Sequence, residues 1–296
     1  MARYITPAVT PLKNDGTIDE ASCIRLYEHL IAGGVDGILI LGSIGEFFAF
    51  TMDEKKALIR IACETVQRRV ELIVGVTSMI FEEMTELSAY AFSQGADSVM
   101  IIPPYYFHFD DAQVEAYYDA LAQAIPGPLY LYNFPDRTGY EISPQVVTRL
   151  AEKHPSIIGI KDTISGMDHT REILRHVKPI RPDFRVFSGF DDNFLHNAAS
   201  GGDGCIAGLS NLFPRLTAAF TNAVNHQDFA AAASCQQRIN DLMAIYAVGK
   251  PFVPFIKEAL HQMGIIACPM ATFPMPSPTE AQKKRLAKIL APFAGQ

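Results

Sequence analysis

Eight short apolar runs, each leading into a stretch of helical character, predict a parallel (β/α)8 barrel, the TIM-barrel architecture, followed by a C-terminal helical extension. Three observations carry this. The runs are about five residues long and alternate with helical patterns of about 10 to 16 residues, the signature of βαβ units. The runs are apolar throughout rather than alternating, as expected of strands covered on both faces. The alternation occurs eight times between about residues 4 and 225. A doubly wound open sheet would carry a Gly-x-Gly-x-x-Gly turn after an early strand, and Gly42-Ser-Ile-Gly-Glu46 is a different motif.

In chain order, Tyr4 to Leu12 is extended, its prolines excluding a helix, and Asn14-Asp-Gly16 is a turn. Asp19 caps a first helix that ends at Gly33-Gly34. Val35–Leu41 is the second strand, and the glycine-bracketed turn Gly42–Glu46 follows it. Thr51 caps a helix from about Met52 to Arg69. Leu72–Val76, Ser98–Ile102, Leu129–Tyr132, Ile157–Thr163, Phe184–Ser188 and Gly204–Ala207 are the remaining strands. Helices run from Glu82 to Gln94, from Asp111 to Ala124, from the Ser143-Pro144 pair to about Lys153, and near Met167 to His176. Residues 1–225 form the barrel. Residues 226–296 form the extension, with helical stretches near Phe229–Val248, Pro251–Gly264 and Thr279–Phe293.

Composition narrows the function. The chain has 296 residues, of which 49% are hydrophobic and 19% charged, enough for a large core. A net charge of -7 without a Lys/Arg cluster argues against a nucleic-acid surface. No apolar run is long enough to span a bilayer, and Met1–Ile5 enters a strand without a signal-peptide pattern. Five scattered cysteines without a C-x-x-C fit reduced thiols, so a cytoplasmic protein is expected.

The working face of such a barrel lies where its strands end. The polar residues there are Ser43 and Glu46, Tyr105 and Tyr106, Tyr132 and Arg137, Lys161, and Asp191 and Asp192. The set holds no His and carboxylate cluster suited to a transition metal, no Gly-x-Ser-x-Gly elbow and no Walker loop. Lys161 ends a strand covered on both faces, and desolvation favours the neutral, nucleophilic form of an amine. Snorkelling of the same side chain to solvent is the alternative. A lysine, several phenols, an arginine and a turn with free amides suit imine chemistry on a 2-oxo acid. Glu46 is read as structural, capping the next helix, and Asp162 points away from its neighbour Lys161. The histidines are read as surface residues.

Gly42-Ser-Ile-Gly-Glu46, Pro104-Tyr-Tyr106, Tyr132-Asn-Phe-Pro135, Gly159-Ile-Lys-Asp-Thr163 and Gly189-Phe-Asp-Asp192 occur in this order along essentially the whole chain. Together they resemble the pyruvate-dependent class I aldolases and lyases that include dihydrodipicolinate synthase, N-acetylneuraminate lyase and 2-keto-3-deoxygluconate aldolase. The resemblance implies that Lys161 forms an imine with pyruvate, with no other cofactor and no metal. It implies that Tyr132 is the general acid/base, and that Ser43 with the amides of Ile44 and Gly45 holds the pyruvate carboxylate. Tyr106 would cross a tight dimer interface within a homotetramer, and the Ile206 carbonyl would lie beside the lysine.

Two positions point to different members. The synthases carry a Thr-Thr pair in the glycine turn, the second hydroxyl serving a proton relay. Ile44 stands at that second place, so the relay is expected to be interrupted. Arg137 resembles the arginine that holds the carboxylate of the synthase's second substrate. Gly42-Ser43 with Phe47, Tyr132-Asn-Phe-Pro135 and Gly189-Phe-Asp-Asp192 most resemble the 2-keto-3-deoxygluconate and galactonate aldolases. Gly189, Asp191 and Asp192 suit a polyhydroxylated tail, because carboxylates and turn carbonyls accept from hydroxyls. In sialic-acid lyases a serine stands where Gly208 falls. The expected activity is reversible cleavage of a 2-keto-3-deoxy sugar acid into pyruvate and an aldehyde. A synthase using aspartate semialdehyde, a deoxy-sugar-acid dehydratase and a non-catalytic oxo-acid binder are the alternatives.

Overall fold

The computed structural model describes residues 1–293. Eight strands pair in sequence order, all parallel, and β8 returns to β1 to close the barrel. They are β1 (Arg3–Pro7), β2 (Gly37–Ile40), β3 (Glu71–Gly75), β4 (Ser98–Ile101), β5 (Leu129–Asn133), β6 (Ile157–Asp162), β7 (Arg185–Ser188) and β8 (Gly204–Ile206). Their burial on both faces explains the continuous apolar runs of the sequence.

The outer helices begin and end on local signals. α1 (Glu20–Gly33) starts where Asp19 accepts from the Ser22 amide and stops at Gly34 in the left-handed region. α2 (Met52–Val66) opens with a reciprocal capping box between Thr51 and Glu54. It ends three residues before Arg69, because Gln67 takes a left-handed conformation. α3 (Phe81–Gln94) and α4 (Asp111–Ala124) follow, then a four-residue turn of helix, α5 (Pro135–Thr138), that the sequence pattern does not announce. α6 (Pro144–Lys153) has Ser143 as its cap and proline in its first turn. α7 (Asp168–Val177), α8 (Phe194–Ala199) and α9 (Pro214–Asn225) complete the ring.

Polar chains plug the end of the barrel where the strands start. Glu71 pairs there with Arg3 and Arg185, and Arg185 also donates to the Tyr130 hydroxyl at 2.8 Å. The opposite end is left for chemistry. Asn225, ending α9, bonds both the amide and the carbonyl of Ala2, tying the last barrel helix to the first strand. Beyond it lie α10 (Phe229–Leu242), a 3-10 turn at Met243–Ala247, α11 (Val253–Gln262) and α12 (Glu280–Leu290). These elements reach back over the strand ends through Tyr246 and Lys257.

Candidate active site at the strand ends

The turn after β2 is held in an unusual backbone. Leu41 and Glu46 bracket it, both with positive φ (54° and 59°), which costs a non-glycine residue of order 1 kcal/mol or more. The Glu46 and Phe47 amides are spent inside the turn, on the carbonyls of Ser43 and Gly42. Thr10 donates to the Gly45 carbonyl at 2.8 Å. The Ile44 and Gly45 amides meet no protein acceptor among the described residues. A turn that presents two open N–H groups is a ready cradle for a carboxylate.

Glu46 stabilises that backbone in a way the sequence reading did not foresee. Its side chain does not cap the following helical turn. It is fully buried, paired with the equally buried Lys257 of α11, and accepts from the Thr272 amide at 2.6 Å. Lys257 also donates to the Met270 carbonyl at 2.8 Å. Burial pulls the Lys257 ammonium below its ordinary range, and the Glu46 carboxylate pulls it back up.

Across the barrel mouth, β5 and β6 pair in register with Tyr132 opposite Lys161 and Asn133 opposite Asp162. Because side chains alternate along a strand, the first pair shares one face and the second pair the other. Lys161 is 4% exposed, so it does not snorkel to bulk solvent. Its Nζ lies 4.4 Å from the Tyr132 ring centroid, a cation–π distance for the ammonium form. The Tyr132 hydroxyl is 3.3 Å from the Ser43 hydroxyl. Lys161, Tyr132 and the turn are therefore neighbours. Ser43, not residue 44, carries the hydroxyl beside Tyr132. The Ile44 side chain instead turns towards Gly208.

Gly208 is small for a steric reason. A Cβ there would lie 2.7 Å from the Tyr246 hydroxyl and 2.8 Å from Ile44 Cδ1, so a larger residue would require those two side-chain ends to shift. Gly189 likewise lets the β7 loop approach the end of β6, since a Cβ would sit 1.9 Å from Thr163 Oγ1. Ile206 ends β8, fully buried and paired with Ile5.

The two acids after β7 sit in different surroundings. Asp191 is buried, and its oxygens accept from Tyr4 (2.5 Å), Tyr246 (2.7 Å) and the Leu209 amide (2.9 Å). Burial pushes its carboxyl up, against these hydrogen bonds, which pull it down. Buried and accepting three hydrogen bonds from the protein, Asp191 braces β1, the turn after β8 and the extension. Asp192 is exposed, and its carbonyl accepts from Gln236 of α10 at 3.1 Å.

One histidine differs from expectation. His169 is buried, its Nδ1 3.0 Å from Asp162 Oδ2 and its Nε2 3.0 Å from the Ile142 carbonyl. Its place on a helix gave no hint of this. Among the described residues no group of three His, Cys, Asp or Glu could hold a metal ion, and no helix is long and apolar enough to cross a membrane.

A pocket of about 760 Å³ opens over Ser43. Phe47, Phe48, Ile102, Phe134 and Phe190 form apolar walls, with Arg137 and Lys250 as its cations. Arg137 stacks on Phe134, its guanidinium carbon 5.1 Å from the ring centroid. The extension supplies Tyr246, Phe252 and Met275, none of them identified by inspecting strand ends alone. Tyr105 lines the rim, while Tyr106 is 80% exposed on the neighbouring loop.

A (β/α)8 barrel that sets a buried lysine beside a tyrosine, facing a turn with open amides, defines the class: a pyruvate-dependent class I aldolase or lyase. The chain belongs to the Dihydrodipicolinate synthetase family, whose profile matches residues 1–292. It is 36% identical to the probable 2-dehydro-3-deoxy-D-pentonate aldolase YjhH of Escherichia coli (strain K12), over 96% of this chain and 94% of that protein. It is also 36% identical to the putative 2-dehydro-3-deoxy-D-gluconate aldolase YagE of the same strain, over 97% and 94%. The crystal structure of YagE in complex with pyruvate superposes with a TM-score of 0.95, covering 99% of this chain and 98% of that one at 34% identity. Dihydrodipicolinate synthase from Thermotoga maritima gives 0.93 at 28% identity, covering 99% and 98%.

Proposed function

We propose that this enzyme reversibly cleaves a 2-keto-3-deoxy sugar acid to pyruvate and an aldehyde through an imine on Lys161. The observation that carries the reading is the contiguous set of Lys161, Tyr132 and Ser43 beside the open amides of Ile44 and Gly45. The names of YjhH and YagE support the substrate class. The neutral Lys161 amine attacks C2 of the keto acid, and loss of water leaves an iminium. Tyr132, with Ser43 as its hydroxyl partner, takes the proton of the C4 hydroxyl. The C3–C4 bond breaks, its electron pair passes to the iminium to give an enamine, and the aldehyde departs. Protonation at C3 and hydrolysis release pyruvate and the free lysine. The turn amides hold the C1 carboxylate throughout. The scattered, unpaired cysteines support a cytoplasmic setting.

A panel of 2-keto-3-deoxy acids assayed for pyruvate release, run beside pyruvate plus aspartate semialdehyde, tests the reading. Arg137→Ala sharpens it. A charge-assisted contact to a substrate carboxylate is worth roughly 1.5 to 3 kcal/mol, so a synthase would lose well over tenfold in kcat/KM for the semialdehyde. Cleavage to a neutral polyol aldehyde should fall by less. Robust semialdehyde condensation that collapses in Arg137→Ala, with no cleavage of the deoxy acids, would favour the synthase.

The exposed run Tyr105, Tyr106 and Phe107 supports a homotetramer built from tight dimers, with Tyr106 reaching the neighbour's site. Sedimentation at assay concentration should therefore show no active monomer, and an active monomer would contradict the assembly.

A further inference from the structure

We propose that His169, as an imidazolium, is a positioning residue that fixes the spacing of Lys161 and Tyr132 from behind the barrel wall. This rests on the reading of those two side chains as the reacting pair. Asn133 and Asp162 directly follow Tyr132 and Lys161 and lie on the opposite face of the same two strands. Asn133 Nδ2 donates to Asp162 Oδ1 at 2.7 Å, clasping the ends of β5 and β6 together. Asn133 Oδ1 accepts from the Ile142 amide at 2.9 Å, and the Ile142 carbonyl faces His169 Nε2 at 3.0 Å. His169 Nδ1, 3.0 Å from Asp162 Oδ2, closes the ring. Thr170 adds a hydrogen bond to the same Asp162 oxygen at 2.5 Å.

Both ring nitrogens of His169 thus face acceptors, a carboxylate and a carbonyl. A neutral imidazole donates from only one nitrogen, and the other would set a lone pair against an acceptor. Only the imidazolium satisfies both. The charged groups that act on the ring are the carboxylates of Asp162 on β6 and Glu141 in the loop before α6. Burial opposes the charged ring, but the hydrogen bond and charge of Asp162 outweigh it, and the pKa is raised. The folded protein therefore holds this proton more tightly than the unfolded chain. Its contribution is fully present below about pH 6.5, the unfolded value, and is lost as pH rises through the folded value. Deprotonation releases the Ile142 carbonyl, the weaker acceptor. Because the Ile142 amide anchors Asn133, the clasp behind Tyr132 and Lys161 loosens with it.

The test compares wild type with His169→Gln, which keeps a polar side chain but cannot carry the charge. In the variant kcat should fall on the order of 10- to 100-fold, as for a small misplacement of reacting groups. KM for the keto acid should stay within about twofold, because the carboxylate turn lies elsewhere. Wild type is expected to lose kcat as pH rises through the His169 titration, and that alkaline limb should be absent in the variant. A profile superimposable on wild type, or a rise in KM matching the fall in kcat, overturns the proposal. Should His169→Gln not fold, ring 15N shifts of wild-type His169 decide. A doubly protonated ring at pH 7, titrating with the alkaline limb of kcat, supports the proposal, and a neutral ring at pH 7 overturns it. Trapping of pyruvate by borohydride on wild type tests the imine separately, so a failed imine and a failed histidine are told apart.

Discussion

Lys161→Ala is expected to fold, to bind keto acid weakly, and to leave no adduct when treated with pyruvate and borohydride. The barrel loses an amine from the end of β6 but none of the hydrogen bonds that clasp β5 to β6, which run through Asn133 and Asp162. Turnover should drop at least about 10⁴-fold, since removing a nucleophile leaves only binding and the carboxylate turn to act. Intact-mass measurement after trapping reads the result directly, and peptide mapping places the adduct. Lys250 lines the pocket that opens over Ser43 and is the instructive control. An adduct on Lys250, or one that persists in Lys161→Ala, would move the nucleophile elsewhere.

The second large effect concerns stability. Glu46 and Lys257 are both fully buried, and each is the other's counter-charge. Removing one partner of a buried pair strands the other and costs about 3 to 5 kcal/mol. Glu46→Gln or Lys257→Met should therefore lower the thermal midpoint on the order of 10 °C. Replacing both, in Glu46→Gln/Lys257→Met, should recover much of that loss, because no charge is then left unpaired. The double variant should still raise KM for pyruvate, since the positive φ at Glu46 no longer has its electrostatic anchor. Calorimetry on the four proteins of this cycle checks the coupling. Additive losses without recovery in the double variant would show that the pair does not act as a unit.

What could be read from the chain and what could not follows from distance along it. Strand identity was legible because a run such as Ile157–Asp162 is apolar on both faces. The sites of Lys161, Tyr132 and Ser43 followed, since the end of a barrel strand is a known place. Helix starts were legible at Asp19, Thr51 and Ser143, where the cap lies within three residues of its partner. The partners of buried polar groups were not. Asp191 reads as an acceptor for substrate hydroxyls, and only the fold brings Tyr4 and Tyr246 onto its oxygens. Lys257 sits on a helix where a lysine ordinarily snorkels outward. His169 has no periodic signal that separates a buried imidazolium from a surface ring. Motif position does not tell which of the two adjacent side chains, Ser43 or Ile44, faces Tyr132, and the fold turns Ser43 towards it.

The Glu46–Thr272 hydrogen bond joins positions 226 residues apart. Such a contact forms only once the long loop between its ends has closed. The substrate turn emerges early in synthesis but cannot settle until α11 has docked. Until then Glu46 lacks its counter-charge, Lys257. A chain arrested with its eight strands paired would thus be a folding intermediate with a lysine in place and no finished cradle for a keto acid. Activity recovered during refolding should lag behind the return of barrel secondary structure, and the lag should lengthen in Lys257→Met.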